Sequence, residues 1–123
     1  MAAKILVIDD DAHMLRVLDR MLRISGFQVL LANTGEAGLA LALADRPDLV
    51  LSDVTMPGMT GYEVCRHLRA HPDLNTTRFI LFSGLTGGQE RAAGFAAGAD
   101  EYLYKPIAPS DLVRKIREVL ARP

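Results

Sequence analysis

Four segments of this 123-residue chain end in residues that could do chemistry together. Asp9-Asp10-Asp11 follows KILVI, Ser52-Asp53 closes LVLSD, Ser83-Gly84 follows FILF, and Lys105-Pro106 follows EYLY. Carboxylates drawn into one cleft repel each other by about 1 kcal/mol per pair at 4 Å in bulk water, and by more where water is partly excluded. A cation relieves that repulsion. Magnesium suits the donor set, since it takes hard oxygen ligands, keeps several waters, and is commonly held by one or two carboxylates plus a phosphate. Calcium asks for more protein oxygens. The same ion offsets charge on a transferring phosphoryl group, while an amine and an alcohol bind its other oxygens. Acids, a cation, an alcohol and an amine at one edge make a phosphoryl-transfer site.

Something must bring these segments together. Five apolar runs of strand length recur: KILVI (4–8), FQVLLA (27–32), LVLS (49–52), FILFS (79–83) and EYLY (101–104). Most are continuously apolar and rich in Ile, Val, Leu and Phe, as strands covered by helices on both faces must be. Between them lie helical patterns with end signals. Met14, Leu15, Leu18, Met21 and Leu22 share one face before Gly26. Asn33 or Thr34 caps a second, alanine-rich helix through Ala37, Ala40, Leu41 and Ala44 that stops before Pro47. Thr60-Gly61-Tyr62-Glu63 reads as a capping box opening a third, which stops before Pro72. A fourth helix near residues 87–97 carries Gly87, Gly88 and Gly94, each costing about 1 kcal/mol relative to alanine in a helix interior, so it is expected to be the loosest. The fifth starts at Pro109 and sets Leu112, Val113, Ile116, Val119 and Leu120 on one face. Strand and helix alternate five times with short connections. Right-handed crossovers then build an open, doubly wound α/β parallel sheet, with ligands beyond the carboxyl ends of its strands.

The totals set outer bounds. With 50% hydrophobic residues the chain suffices for one domain, residues 1–123, and any output module lies elsewhere. A formal charge of -1, from 14 basic and 15 acidic residues, gives no field to hold nucleic acid or an anionic membrane. No apolar run approaches the roughly 20 residues needed to span a bilayer. The single cysteine, Cys65, has no intramolecular partner, and the N-terminus lacks a signal-peptide layout, so the expected location is cytoplasmic. His13, His67 and His71 show no zinc-ligand spacing and read as surface residues.

These motifs together resemble the receiver domains of bacterial two-component response regulators, over nearly the whole chain. KILVIDDD is similar to the family's first strand and acidic pair, LVLSDVTMPGMTGYE to its phosphorylation segment, ILFSG to its hydroxyl strand, and GADEYLYKP to its lysine segment. The resemblance implies a flavodoxin-like sheet of order 2-1-3-4-5. It makes Asp53 the phospho-acceptor, with Mg2+ on Asp9, Asp10, Asp53 and the backbone carbonyl of Thr55. Ser83 and Lys105 would bind phosphoryl oxygens, Ser83 and Tyr102 would form a switch, and Lys105-Pro106 would be cis. It further implies a phosphohistidine donor, carried by a sensor histidine kinase or a phosphotransfer protein. A downstream effector protein or domain would read the face of the fourth helix, fifth strand and fifth helix. Direct nucleic-acid and membrane contacts are not expected, and homodimerisation stays open. Two departures bear on phosphoryl lifetime and local packing: Thr55 stands where the family often has a larger residue, and Ile107 where an aromatic is frequent. Ser83 replaces the commoner Thr but keeps the hydroxyl.

Plainer readings compete. Singly, Asp9 to Asp11 read as helix-capping acids, Asp53 as a turn residue, Lys105 as solvated and Tyr102 as a packed edge aromatic; their joint spacing is what argues otherwise. Asp9-x-Asp11 also resembles the haloacid-dehalogenase motif, which would make Asp9 the nucleophile of a phosphatase, though Ala12 stands where Thr or Val is expected. A third alternative is a receiver-like binding module that is never phosphorylated.

Overall fold

Alternation along each strand sorts the core into two halves. The computed structural model describes residues 2–123 and contains β1 (Lys4–Ile8), α1 (Ala12–Ile24), β2 (Gln28–Ala32), α2 (Gly35–Asp45), β3 (Leu49–Ser52), α3 (Gly61–Ala70), β4 (Arg78–Ser83), α4 (Gly88–Ala96), β5 (Glu101–Tyr104) and α5 (Pro109–Ala121). Leu6, Ile8, Val50, Phe79, Leu81 and Tyr102 pack on one side of the sheet with Val64 and Leu68 of α3 and Ala42 of α2. Their neighbours in sequence, among them Ile5, Val7, Leu51 and Ile80, face the other side against Leu15, Leu18 and Leu22 of α1 and Ile116 and Val119 of α5. Successive side chains of a strand point to opposite faces, so a run that is apolar throughout feeds both halves.

The strands run parallel in the order β2-β1-β3-β4-β5, the expected flavodoxin-like order. The winding reverses beside β1, which places β1 and β3 together with Ile8 opposite Ser52. Two boundaries differ by a residue from the sequence reading. Phe27 is not in β2, because its amide closes the end of α1 on Leu22 while Gly26 turns the chain at φ 96°. Arg78 joins β4, because it pairs in register with Leu49.

Caps fix where the helices begin. Asp11 accepts from the amides of His13 and Met14, so it serves α1 and turns from the cleft. Thr34, not Asn33, caps α2 through the amide of Ala37. Thr60 and Glu63 form the reciprocal capping box of α3. Cys65 is buried on that helix. Gly87, the N-cap of α4, provides no side-chain cap. Among the described residues no helix is long and apolar enough to cross a membrane.

Candidate functional site

At the carboxyl edge of the sheet, backbone pairing continues just past the strands and sets the acids side by side. The amide of Asp53 donates to the carbonyl of Ile8 at 2.9 Å, and that of Asp9 to Ala32 at 3.1 Å. Asp9, Asp10 and Asp53 thereby each offer a carboxylate oxygen within 4.8 Å of the others. Lys105 reaches in from beyond β5: its Nζ lies 3.1 Å from Asp9 Oδ2 and 3.2 Å from Asp53 Oδ2, above the Phe82 ring at 5.2 Å. The Lys105-Pro106 bond is cis, as the resemblance implied.

Each carboxylate is oriented by its own loop. The amide of Asp11 donates to Asp9 Oδ1 at 2.9 Å. The amide of Val54 donates to Asp53 Oδ1 at 2.7 Å, and that of Thr55 at 3.4 Å. The Asp9 side chain is only 3% exposed, against 15% for Asp53, while Asp10 lies open to solvent. Burial, the largest influence on Lys105, lowers its pKa. The hydrogen bond it donates to Asp9, the charges of Asp53 and Asp9, and the hydrogen bond it donates to Asp53 together outweigh it, and the amine is held above its ordinary range. It is therefore a fixed cation at neutral pH.

The donor set fits a small divalent ion. Opposite ligands of an octahedron with bonds of about 2.1 Å stand about 4.2 Å apart, and one oxygen from each of the three carboxylates lies within 4.8 Å of the others, a little beyond that span. Three negative charges against the one of Lys105 leave an excess that a divalent cation would offset.

Ser83 reaches the same edge, fully buried at the end of β4, but its Oγ accepts from the amide of Leu85 at 3.1 Å and makes no hydrogen bond to the carboxylates. Its own proton stays available to donate, because a hydroxyl can accept and donate at once. Thr55 is exposed, and its amide donates to Asp53 Oδ1. Tyr102, read from sequence as an edge aromatic or a switch, is 1% exposed, and its hydroxyl donates to the Leu85 carbonyl at 2.8 Å. Ser83 and Tyr102 thus meet on one residue.

Two further residues went unread in the sequence. Gly61 donates to the Val54 carbonyl at 2.9 Å, and a Cβ there would lie 2.2 Å from the Asp53 carbonyl oxygen, so only glycine lets α3 start this close to the acid. Its place directly after the capping threonine was a usable signal. Leu85, which links Ser83 to Tyr102 through its backbone alone, left no mark in side-chain type.

Comparison with known proteins agrees with this geometry. Residues 5–117 match the family model described as response regulator receiver domain. The response regulator MprA of Mycolicibacterium vanbaalenii is 42% identical over 122 residues, 99% of this chain and 52% of that protein. The probable transcriptional regulator ycf27 of Porphyridium aerugineum is 40% identical over 119 residues, 97% of this chain and 48% of that protein. The chain thus spans about half the length of the curated relatives it matches. Among solved structures, the chemotaxis protein CheY4 of Vibrio cholerae superposes with a TM-score of 0.93 at 31% identity, covering 97% of this chain and 99% of that one.

Proposed function

The chain belongs to the response regulator receiver domain family, the phospho-acceptors of two-component signalling, and from that premise we propose that its own acceptor is the carboxylate of Asp53. The observation that carries this reading is the convergence of Asp9, Asp10 and Asp53, with Lys105 bonded to two of them. Asp53 is the more accessible of the two acids that share the lysine, and backbone amides hold its carboxylate in one orientation. In transfer, the phosphorus–nitrogen bond of a phosphohistidine breaks as a phosphorus–oxygen bond to Asp53 forms, and the histidine leaves with the electron pair. Lys105 then binds a phosphoryl oxygen as a point charge, and the Ser83 proton is free to bind another. Asp9, Asp10, Asp53 and the Thr55 carbonyl would hold magnesium, which supplies charge compensation for the transferring group when bound.

The phosphoryl group adds about -1.5 to -2 of charge and new acceptor oxygens. A Ser83 hydroxyl drawn toward it takes Leu85 along, and Leu85 is where the Tyr102 hydroxyl is anchored. Ser83 and Tyr102 form the switch in this account, and the surface of α4, β5 and α5 reports it. The donor is a sensor histidine kinase or a phosphotransfer protein. The reader is an effector protein or domain, consistent with relatives about twice this length that are named as regulators. In this account the domain works in the cytoplasm as one unit across residues 1–123. It makes no nucleic-acid contact of its own, it catalyses its own phosphorylation and slow hydrolysis without turning over a separate substrate, and homodimers are open to it. The phosphatase alternative, with Asp9 as nucleophile, is disfavoured by the burial of that carboxylate.

Incubation with magnesium and acetyl phosphate, read by intact mass and peptide mapping, tests the assignment. Wild type and Asp53→Asn are compared with Asp9→Asn. Label confined to Asp53, and lost in Asp53→Asn, is expected. Label on Asp9 with rapid turnover would establish the phosphatase, and no label from any donor would establish a non-phosphorylated module.

A further inference from the structure

Helix α4 begins without a side-chain cap. Gly87 at its N-cap has no side chain to offer, and Gly88 and Gly94 lie within the helix. Two phenols from other elements hold its start. Tyr102 of β5 donates to the Leu85 carbonyl in the loop that leads into α4, at 2.8 Å. Tyr62 of α3 donates to the Glu90 carbonyl in the first turn of α4 itself, at 3.0 Å. Both rings sit with the same half of the core, Tyr102 within it and Tyr62 packed against it.

The two phenols reach α4 by different routes. Tyr102 belongs to the path that starts at Ser83, through Leu85. Tyr62 follows Gly61, whose amide bonds Val54 and whose Cα abuts the Asp53 carbonyl. It therefore stands one residue from the backbone that carries the acceptor. Phe at position 62 would fill the same space, yet it could not donate to a helix carbonyl. Burial first, then the neighbouring Tyr102 and the charge of Glu90, push the Tyr62 phenol up to about 12, so it stays a donor throughout the neutral range.

We propose that Tyr62 is a positioning residue of the switch, a second tether that ties the first turn of α4 to the backbone beside Asp53, in parallel with the Ser83–Leu85–Tyr102 path. Movement of α4 must then break or carry two phenol contacts, and the balance between arrangements of α4 depends on both. The proposal rests on the phospho-acceptor reading only for what drives the movement; the tether belongs to the fold.

Tyr62→Phe removes the donor and keeps the ring. In hydrogen exchange, the amides of Gly88–Ala96 are expected to exchange about fivefold faster than in wild type, the size of one lost neutral hydrogen bond. Those of α1 and α5 should be unchanged. Unchanged exchange in α4, or equal acceleration everywhere, would overturn the tether. A second readout separates positioning from packing: the apparent affinity for beryllofluoride with magnesium, a stable stand-in for the phosphoryl group. Sites joined through one equilibrium shift each other, so Tyr62→Phe should change that affinity about threefold or more, in either direction. An unaltered affinity reduces Tyr62 to a packing residue and overturns its role in the switch. If wild type itself binds no beryllofluoride, the acceptor reading fails and the exchange result alone decides the tether.

Discussion

Replacing Asp10 by Asn should make the metal-free protein more stable, although it alters a residue of the site. Asp10 shares the cleft with Asp9 and Asp53, all three within 4.8 Å. Those two bond Lys105, whereas among the described residues Asp10 has no ion-pair partner. Two unit charges at that distance repel by about 0.9 kcal/mol in bulk water and by about 3.5 kcal/mol at the effective dielectric of a protein surface. Asp10 is exposed, so the lower figure governs each of its two pairs. The relief is about 1–2 kcal/mol, or about 3–8 °C in melting temperature for a domain of this size. Thermal unfolding in chelator and in excess magnesium measures it. Wild type should gain stability from magnesium by mass action, and Asp10→Asn should start higher and lose most of that gain. Added salt should shrink the difference in chelator, since it screens the exposed repulsion. A variant that is less stable than wild type in chelator, or that gains as much from magnesium, would refute the idea that these acids repel across a shared ion site.

Other consequences follow from single contacts. Gly61→Ala forces a methyl to within 2.2 Å of the Asp53 carbonyl oxygen; a loss of about 1–3 kcal/mol in urea unfolding is expected, with slower labelling of Asp53 as α3 is pushed away. Thr60→Ala removes one half of the α3 capping box and should cost about 1 kcal/mol by the same assay, with little effect on labelling. The raised pKa of Tyr62 gives a pH signature, because a phenol whose folded pKa lies above the unfolded value of about 10 stabilises the fold fully below that pH. Its contribution is lost as the pH climbs through about 12. Ultraviolet titration should show a tyrosine that ionises near pH 12, and Tyr62→Phe should abolish that phase.

Elements whose identity rests on local chemistry were legible before the structure. KILVI, LVLS and EYLY begin and end where read; in the first two a strand covered on both faces is apolar almost throughout, and the polar residue that follows each run marks the edge of the sheet. Thr60 and Glu63 announce their cap by spacing alone. The convergence of Asp9, Asp10, Asp53 and Lys105 was legible because each follows a strand, and parallel strands deliver their ends to one side. Contacts made by backbone atoms were not legible. The Leu85 amide and carbonyl that join Ser83 to Tyr102, and the Glu90 carbonyl that receives Tyr62, carry no side-chain signature. Asp11 showed the converse problem: its type suited the cleft as well as a cap, and only the path of α1 decided for the cap.

A crystal structure grown with manganese and beryllofluoride puts the central claim to its most direct test, since manganese takes the same oxygen ligands as magnesium and scatters anomalously. Beryllofluoride should be joined to an Asp53 oxygen, with a manganese ion touching Asp9, Asp10 and Asp53 and with Lys105 moved onto a fluoride. Beryllofluoride on Asp9, or manganese bound away from these three acids, would contradict the claim.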